Sequence, residues 1–373
     1  MKYRLCYVSD AAVWPEADGF HAEANWPIRE LAGELGSCAE LVVVGRTIDE
    51  PPPSSAQFIP RETTIRAAGF RVRRRGAMGY VAGLREAARV LAREYERSDV
   101  IYLKPSITAL VGQRFVKPRH LVVTHLMGNP ADTLARGSMA GALARPLVRR
   151  AARTLFRSAT LRASVSAALA AEIDAAGAGC MIVNESRLRQ CHVVPPRTGR
   201  SYGLAYVGRL FPEKGTELLP EILDRFADLR LLILGTGPAK PEVMAAFRRR
   251  GLLGRVDFQP PVPWGEELFH WLDQVEVLLL PSYSEGCGLA AIEALARGGK
   301  VAAARVGGLV ENLEGLGRAR LVTTRRVSDW TAAVDELLAS EEAQPDVRRF
   351  LFDENMKTLA AEIERRLRRA DAA

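Results

Sequence analysis

Short apolar runs alternate along this chain with longer stretches in which apolar residues return every three or four positions. The runs read as buried strands, and the longer stretches as amphipathic helices. In the first half, strands are predicted at residues 3–8, 41–44, 100–103, 120–124 and 162–165, and helices at 23–35, 79–96, 146–157 and 167–176. The second half restarts the alternation, with strands at 204–207, 229–234, 255–258, 275–280 and 300–303. Strand and helix in turn argue for parallel, doubly wound α/β sheets wrapped by helices. Residues 195–201, reading PPRTGRS, combine Pro, Gly and polar side chains between two apolar strands and read as a linker. The layout predicts two doubly wound domains, 1–198 and 202–345, facing each other across a cleft, and then a helical, Arg-rich tail over 346–373.

Length agrees with that division, because 373 residues are many for one core. A chain that is 48% hydrophobic and 26% charged is globular in type. No apolar run approaches the length of a membrane span. The first run is too short for the hydrophobic region of a signal peptide and ends at Asp10, so it is expected to be a strand. The cysteines at 6, 38, 180, 191 and 287 are scattered and odd in number. They argue for a reducing cytoplasm and against a disulfide framework or zinc site.

Charge is distributed unevenly. Residues 1–200 carry 29 basic and 18 acidic side chains, whereas the remainder is slightly acidic. Two windows of the first half lack acids: 63–85, which contains Arg71-Val-Arg-Arg-Arg75, and 133–171, which holds seven arginines. Within the second, PLVRRAARTLFR (146–157) puts Leu147, Val148, Ala151, Leu155 and Phe156 on one side and Arg149, Arg150, Arg153 and Arg157 on the other. This is an ordinary domain helix or one that lies on an anionic membrane surface. Nucleic acid is not expected, since aromatic residues interleaved with these arginines are absent.

The densest chemistry lies in residues 285–293, reading EGCGLAAIE, directly after the strand at 275–280. A strand, a glycine turn and a helix start make an anion cradle, because unpaired N–H groups and the helix dipole face the ligand. Gly286, Cys287, Gly288 and Leu289 supply those N–H groups. Glu293 sits within an otherwise apolar helix, where a charge is costly without a partner. A ligand bearing hydroxyls, such as a ribose, would supply one.

Two glutamates seven residues apart, with Gly-x-Gly-Leu after the first, resemble the signature of family 4 glycosyltransferases. The resemblance extends to VGRLFPEKG (207–215), LLILGTGP (231–238), VLLLPSYSEG before the glutamates and VGGLVE (306–311) after them. It covers roughly residues 203–315, about one domain. It implies the GT-B fold, two Rossmann-like domains with a tail crossing back to the first, and retaining transfer from a nucleotide-sugar donor. UDP is the expected nucleotide on family frequency. By the same resemblance Arg209 and Lys214 hold the donor diphosphate, Glu293 anchors the ribose, Glu285 faces the transferred sugar and His125 touches it near the reacting carbon. Gly208, Gly235, Gly237 and Val262 border the nucleotide, and Gly19 lets backbone approach the diphosphate.

Each residue also has a plainer reading. Arg209 and Lys214 are then surface cations, Glu285 an acid favoured by a helix dipole, His125 a polar strand cap and Gly235-x-Gly237 a simple turn. The chain departs from the family at Cys287, where an aromatic is common, at 258–262 (FQPPV), which lacks the usual glycine, and at Gly19, usually one of a pair. No Asp-x-Asp pair occurs, so neither a metal nor another cofactor is expected and the two cations are assigned its electrostatic work. The first domain is expected to bind the acceptor, which its charge suggests is anionic or lipid-linked, with peripheral contact to the inner face of the membrane. An epimerase or hydrolase of the same fold, or a non-catalytic nucleotide-sugar or nucleic-acid binding protein, remain the alternatives.

Overall fold

The first apolar run does not stop at Val8. It continues as one long strand, β1 (Tyr3–Pro15), and turns back as β2 (Gly19–Ala22). The computed structural model describes residues 2–23, 28–52, 56–61, 64–72, 77–128, 139–174, 179–184 and 186–371. They divide into two units, 1–185 with 353–373, and 186–352.

After β2 the first unit continues with α1 (Ile28–Glu34), β3 (Cys38–Thr47), β4 (Gln57–Pro60), β5 (Ile65–Arg71), α2 (Ala77–Glu96), β6 (Val100–Leu103) and α3 (Ile107–Gly112). Next come β7 (Leu121–Leu126), α4 (Met139–Ser158), β8 (Leu161–Ser164), α5 (Ala167–Ile173) and β9 (Met181–Ile182). Its parallel sheet runs β5-β3-β1-β6-β7-β8-β9, and β2 and β4 extend it as antiparallel strands from the far end of β1. Aliphatic side chains from both faces of β1, β3, β6 and β7 are buried, as a doubly covered sheet requires.

The second unit runs β10 (Tyr202–Val207), α6 (Leu219–Asp224), β11 (Leu231–Leu234), α7 (Lys240–Arg249), β12 (Val256–Gln259), α8 (Glu266–Leu272) and β13 (Val275–Leu280). It ends with α9 (Leu289–Ala296), β14 (Lys300–Ala304), α10 (Gly307–Leu313), β15 (Ala319–Val322) and α11 (Val327–Ala339). The sheet is wholly parallel in the order β12-β11-β10-β13-β14-β15, the Rossmann arrangement. Its core packs Tyr206, Phe247 and Trp330 among Leu, Ile and Val from the strands. The last helix, α12 (Phe352–Asp371), belongs with the first unit apart from its first residue. It buries Met356, Leu359, Ile363 and Leu367 on one stripe.

The strands that the apolar pattern does not predict, β2, β4, β5, β9 and β15, are short, polar or glycine-containing, and four of them lie at sheet edges. An edge strand needs no continuous apolar run, so its signal is weak. Helix α4 begins seven residues earlier than expected and carries Pro146 in its interior. The boundary between units also falls earlier than the linker-like 195–201. Val194 N–H donates to Ala296 O at 2.9 Å, and the Arg200 guanidinium donates to the carbonyls of Leu272 at 3.0 Å and Arg297 at 2.8 Å. These bonds tie residues 186–201 into the second unit. Arg73, Arg74 and Arg75 of the first basic window, residues 133–138 of the second, and the predicted helical residues 24–27 and 175–176 lie outside the described residues.

Candidate functional site

In the second unit the strand order reverses between β10 and β13, and the loops leaving these two strands part there. In open α/β sheets this is where ligands bind. The loop after β10 begins at Gly208, whose φ of +151° disfavours other residues. It is laced to the loop after β11: Leu210 N–H donates to Thr236 O at 2.9 Å, and Ala239 N–H to Leu210 O at 3.0 Å. A Cβ at Gly235 would overlap the Gly208 carbonyl, and one at Gly237 the Leu210 carbonyl. The G-x-G pair therefore lets two loops touch. Arg209 emerges between them, exposed, its guanidinium 5.0 Å from the Phe211 ring centroid. Among the described residues no acid pairs with it.

Lys214 ends the tight turn Pro212–Lys214, and Gly215 follows in the left-handed region at φ +63°. A side chain at Gly215 would overlap the Pro281 carbonyl, so the turn presses against the loop that leaves β13. Lys214 Nζ lies 2.5 Å from Glu285 Oε2, and Ser282 Oγ donates to the same oxygen at 3.1 Å. Tyr283 N–H donates to Glu213 O at 2.9 Å and completes the zip between the loops. The Glu285 backbone carbonyl accepts from Gly308 N–H at 3.0 Å, so the start of α10 backs the glutamate.

Helix α9 begins after Gly288, at φ +72°, and no side chain caps its first N–H groups. Cys287 is buried, and its carbonyl accepts from Asn312 Nδ2 at 2.7 Å. That bond fixes the loop Gly286-Cys287-Gly288-Leu289 from behind. One and a half turns further on, Glu293 is 6% exposed. Burial pushes its carboxyl pKa upward, partly opposed by a hydrogen bond from Trp264 and by the charge of Arg187. Trp264 Nε1 donates to Glu293 Oε1 at 2.7 Å, so the protein itself supplies one of the partners that the sequence left to a ligand. Val262, half-buried, lies two residues before Trp264 in the loop after β12.

Thus Gly208, Arg209, Lys214, Gly235, Gly237, Val262, Glu285, Gly286, Cys287, Gly288, Leu289 and Glu293 all belong to the second unit, and loops at the ends of its strands carry most of them. Ser282, Asn312, Arg187 and Trp264 join them unforeseen. Ser282 had a signal, since a hydroxyl directly before an acidic loop is a ready donor. Asn312 and Trp264 act across 25 and 29 residues of sequence, and no local pattern marks them. A cavity of about 690 Å³ opens beside the Pro212–Lys214 turn, lined in part by Thr216, Glu217, Glu242, Arg249 and Tyr283. None of Arg209, Lys214, Glu285 and Glu293 lines it.

Of the two predicted site residues of the first unit, His125 lies near the carboxyl end of its strand as expected, whereas Gly19 is placed differently. His125 is the penultimate residue of β7 and is fully buried. Its Nε2 lies 3.0 Å from the Val183 carbonyl, which can only accept, so Nε2 carries the proton. Nδ1 then accepts from Tyr102 Oη, 2.5 Å away. Both ring nitrogens are engaged within the protein. Gly19 is not in a loop but opens β2, paired with Pro60 of β4, and a Cβ there would overlap the Ile59 carbonyl. Close strand packing accounts for the glycine.

Helix α4 uses its cations internally. Arg149 pairs with Glu172, Arg153 Nε donates to Ile173 O at 2.7 Å, and Arg157 clasps the buried Asp174 through two bonds of 2.7 and 2.9 Å. Leu155 and Phe156 are buried, but Leu147, expected on the same apolar face, is 70% exposed. Among the described residues no helix is long and apolar enough to cross a membrane, and no group of three or more His, Cys, Asp or Glu is placed to hold a metal ion.

Residues 201–340 match the sequence family described as Glycosyl transferases group 1. The chain is similar to D-inositol 3-phosphate glycosyltransferase of Mycobacteroides abscessus, 37% identical over 145 residues, which are 38% of this chain and 32% of that protein. It spans about a third of the length of the curated relatives it matches. Among solved structures it is similar to a sucrose-phosphate synthase from Thermosynechococcus elongatus, with a TM-score of 0.75 at 17% identity over 100% of both chains. The Anabaena protein HepE in complex with UDP and glucose gives 0.65 at 15% identity, over 96% of this chain and 95% of that one. The fold is GT-B, two Rossmann-like α/β units, and the second unit is related to the group 1 glycosyl transferases.

Proposed function

We propose that this chain, related through its second unit to the group 1 glycosyl transferases, is a glycosyltransferase that moves a hexose-type sugar from a UDP-linked donor to an acceptor hydroxyl with retention of configuration. The observation that carries the reading is the Lys214–Glu285 pair joining the loops that leave β10 and β13 at the strand-order reversal, with Arg209 on the first of these loops, the α9 turn on the second and Glu293 buried in the helix that follows. HepE, of the same fold, is described with UDP and with UDP-glucose, which supports a uridine donor.

In the proposed reaction the bond between the anomeric carbon and the diphosphate oxygen breaks as the acceptor oxygen forms a bond on the same face. The departing oxygen takes the acceptor proton. Arg209 and Lys214 stabilise the charge that grows on the diphosphate, and α9 adds N–H groups that are fixed before the reaction. Glu285 faces the sugar and Glu293 accepts from the ribose hydroxyls. For the first unit we propose acceptor binding, and the burial of His125 argues for support over contact. An anionic acceptor suits the basic first half, and the name of the relatives, D-inositol 3-phosphate glycosyltransferase, describes such an acceptor for them. The enzyme would work in the cytoplasm, with any membrane contact peripheral.

The test is incubation with UDP-, GDP-, dTDP- and ADP-sugars, alone and with phosphorylated polyols or lipid-phosphate acceptors, analysed by mass. Transfer from a UDP-sugar to an acceptor supports the proposal. Free or epimerised sugar formed without an acceptor would mark a hydrolase or epimerase instead.

A further inference from the structure

Glu293 is held by an assembly outside the motif that contains it. Trp264 stands in the loop PPVPWG (260–265), where three prolines each fix φ and stiffen the approach. Its indole is boxed in. The Arg187 guanidinium lies 4.6 Å from the ring, and His192 and Phe269 meet it edge-on at 5.4 and 5.2 Å. The box has its own foundation: Arg297 lies 5.0 Å over Phe269, donates to the His192 carbonyl at 2.8 Å and is locked to Asp273 at 2.6 Å. Trp264 is therefore not free to turn, and its N–H is delivered to Oε1 of Glu293 at 2.7 Å.

A carboxylate in an apolar helix faces two losses. It can take up a proton and give up acceptor capacity, or it can swing among orientations that do not suit a ligand. An indole N–H on one oxygen counters both, because it only donates and its direction is fixed by the ring. Among the described residues Trp264 is the single hydrogen-bond partner of the Glu293 carboxylate, which leaves Oε2 unengaged. We propose that Trp264 is a positioning residue for donor recognition: it holds Oε1 of Glu293 so that Oε2 accepts from the vicinal hydroxyls of the donor ribose, with the Arg187 cation backing the indole. The inference rests on the reading of Glu293 as the ribose anchor. Preorganisation of this kind raises affinity by removing an ordering cost that would otherwise fall on binding.

Trp264→Phe keeps the ring and removes the donor. Calorimetric titration of the whole protein with UDP and with 2′-deoxy-UDP, between about pH 5 and 8, reads the consequence directly. For wild type, UDP should bind more tightly than 2′-deoxy-UDP. In Trp264→Phe, UDP affinity should fall by about tenfold, the preference for the ribose should shrink, and the loss of affinity on acidification should begin at a higher pH. Arg187→Gln should move the acid limb in the same direction by a smaller amount, and it serves as the test if circular dichroism shows that Trp264→Phe does not fold. A folded Trp264→Phe with the wild-type ribose preference and pH profile would overturn the proposal and leave Trp264 as packing. Wild type that binds UDP with no ribose preference would instead remove Glu293 as the anchor, and the proposal with it.

Discussion

Lys214 Nζ and Glu285 Oε2 lie 2.5 Å apart although 71 residues separate them in sequence. The pair bridges the two loops that part at the strand-order reversal, and both side chains are largely buried. An ammonium has three donors and gives one to Glu285, so Lys214 can engage a diphosphate while it remains tethered. Glu285 in turn is steadied by Ser282 and by the backbone N–H of Gly308. Lysine and glutamate thus preset each other, and charge arriving at the loops meets fixed groups.

Two substitutions separate binding from chemistry at this site. Lys214→Ala removes stabilisation that grows as the diphosphate departs, so kcat should fall by about 10²- to 10³-fold with a much smaller change in nucleotide affinity. With Glu293 as the proposed ribose anchor, Glu293→Gln would weaken a ground-state hydrogen bond, so the Kd for UDP should rise by about tenfold. Calorimetry with UDP and steady-state kinetics check the contrast. Unchanged binding and rate in both variants would dissolve the assignment.

The same glutamate has a stability cost whose sign follows from its titration. Burial raises the folded-state pKa of Glu293 above its unfolded value. The folded protein therefore holds this proton more tightly, and the contribution of the group to stability is greatest below the unfolded pKa and is lost as pH rises through the folded one. Wherever the carboxyl is ionised, its burial is a burden. Glu293→Gln is expected to raise Tm at about pH 7.5 and to have little effect near pH 4, where the glutamate is already protonated. Thermal melts at the two pH values decide it. A lower Tm at neutral pH would mean that Trp264 and Arg187 more than offset the burial.

The second unit was legible because its strands are central, apolar and closed by glycine turns, so β10, β11, β13 and β14 stand out as runs. The glycines and charges proposed for the site follow those strands at fixed offsets: Glu293 stands out as the one charge in an apolar helix, whereas the roles proposed for Arg209, Lys214 and Glu285 rest on the family resemblance. Trp264 carries neither signal. It reaches Glu293 from the loop after β12, and only the parallel sheet order brings that loop beside α9. The surroundings of His125 were equally out of reach. The apolar run at 120–124 gives no sign that β7 extends two residues further or that the imidazole at its carboxyl end is buried between Tyr102 and the Val183 carbonyl. The edge strands β5 and β15 lack a continuous apolar run, because one flank of an edge has no neighbour to satisfy.

Transfer is expected to continue in excess EDTA. The sequence contains no Asp-x-Asp pair to bridge a metal to the diphosphate, and the proposed reaction gives that work to the charges of Arg209 and Lys214. Added magnesium should change the rate only modestly, through its own binding to the product. Activity abolished by chelator and restored by manganese would contradict this account and return attention to the carboxylates.

Of the two readings of helix α4, an ordinary domain helix or one lying on an anionic surface, the first gains support, because three of the four arginines are engaged by the segment that follows β8. Arg149 holds Glu172, Arg153 the Ile173 carbonyl and Arg157 the buried Asp174. Arg153→Gln and Arg157→Gln should therefore lower Tm and leave any association with vesicles unchanged. Arg150 is exposed and makes no ion pair among the described residues, and Leu147 is 70% exposed three positions before it. If the first unit meets an anionic membrane through this helix, Arg150→Gln with Leu147→Ser should weaken co-sedimentation with phosphatidylglycerol vesicles. The attraction should also fade with salt, because its range is only about 10 Å at 0.1 M. Equal sedimentation with neutral and anionic vesicles, or none with either, would favour a small soluble acceptor over a membrane-borne one.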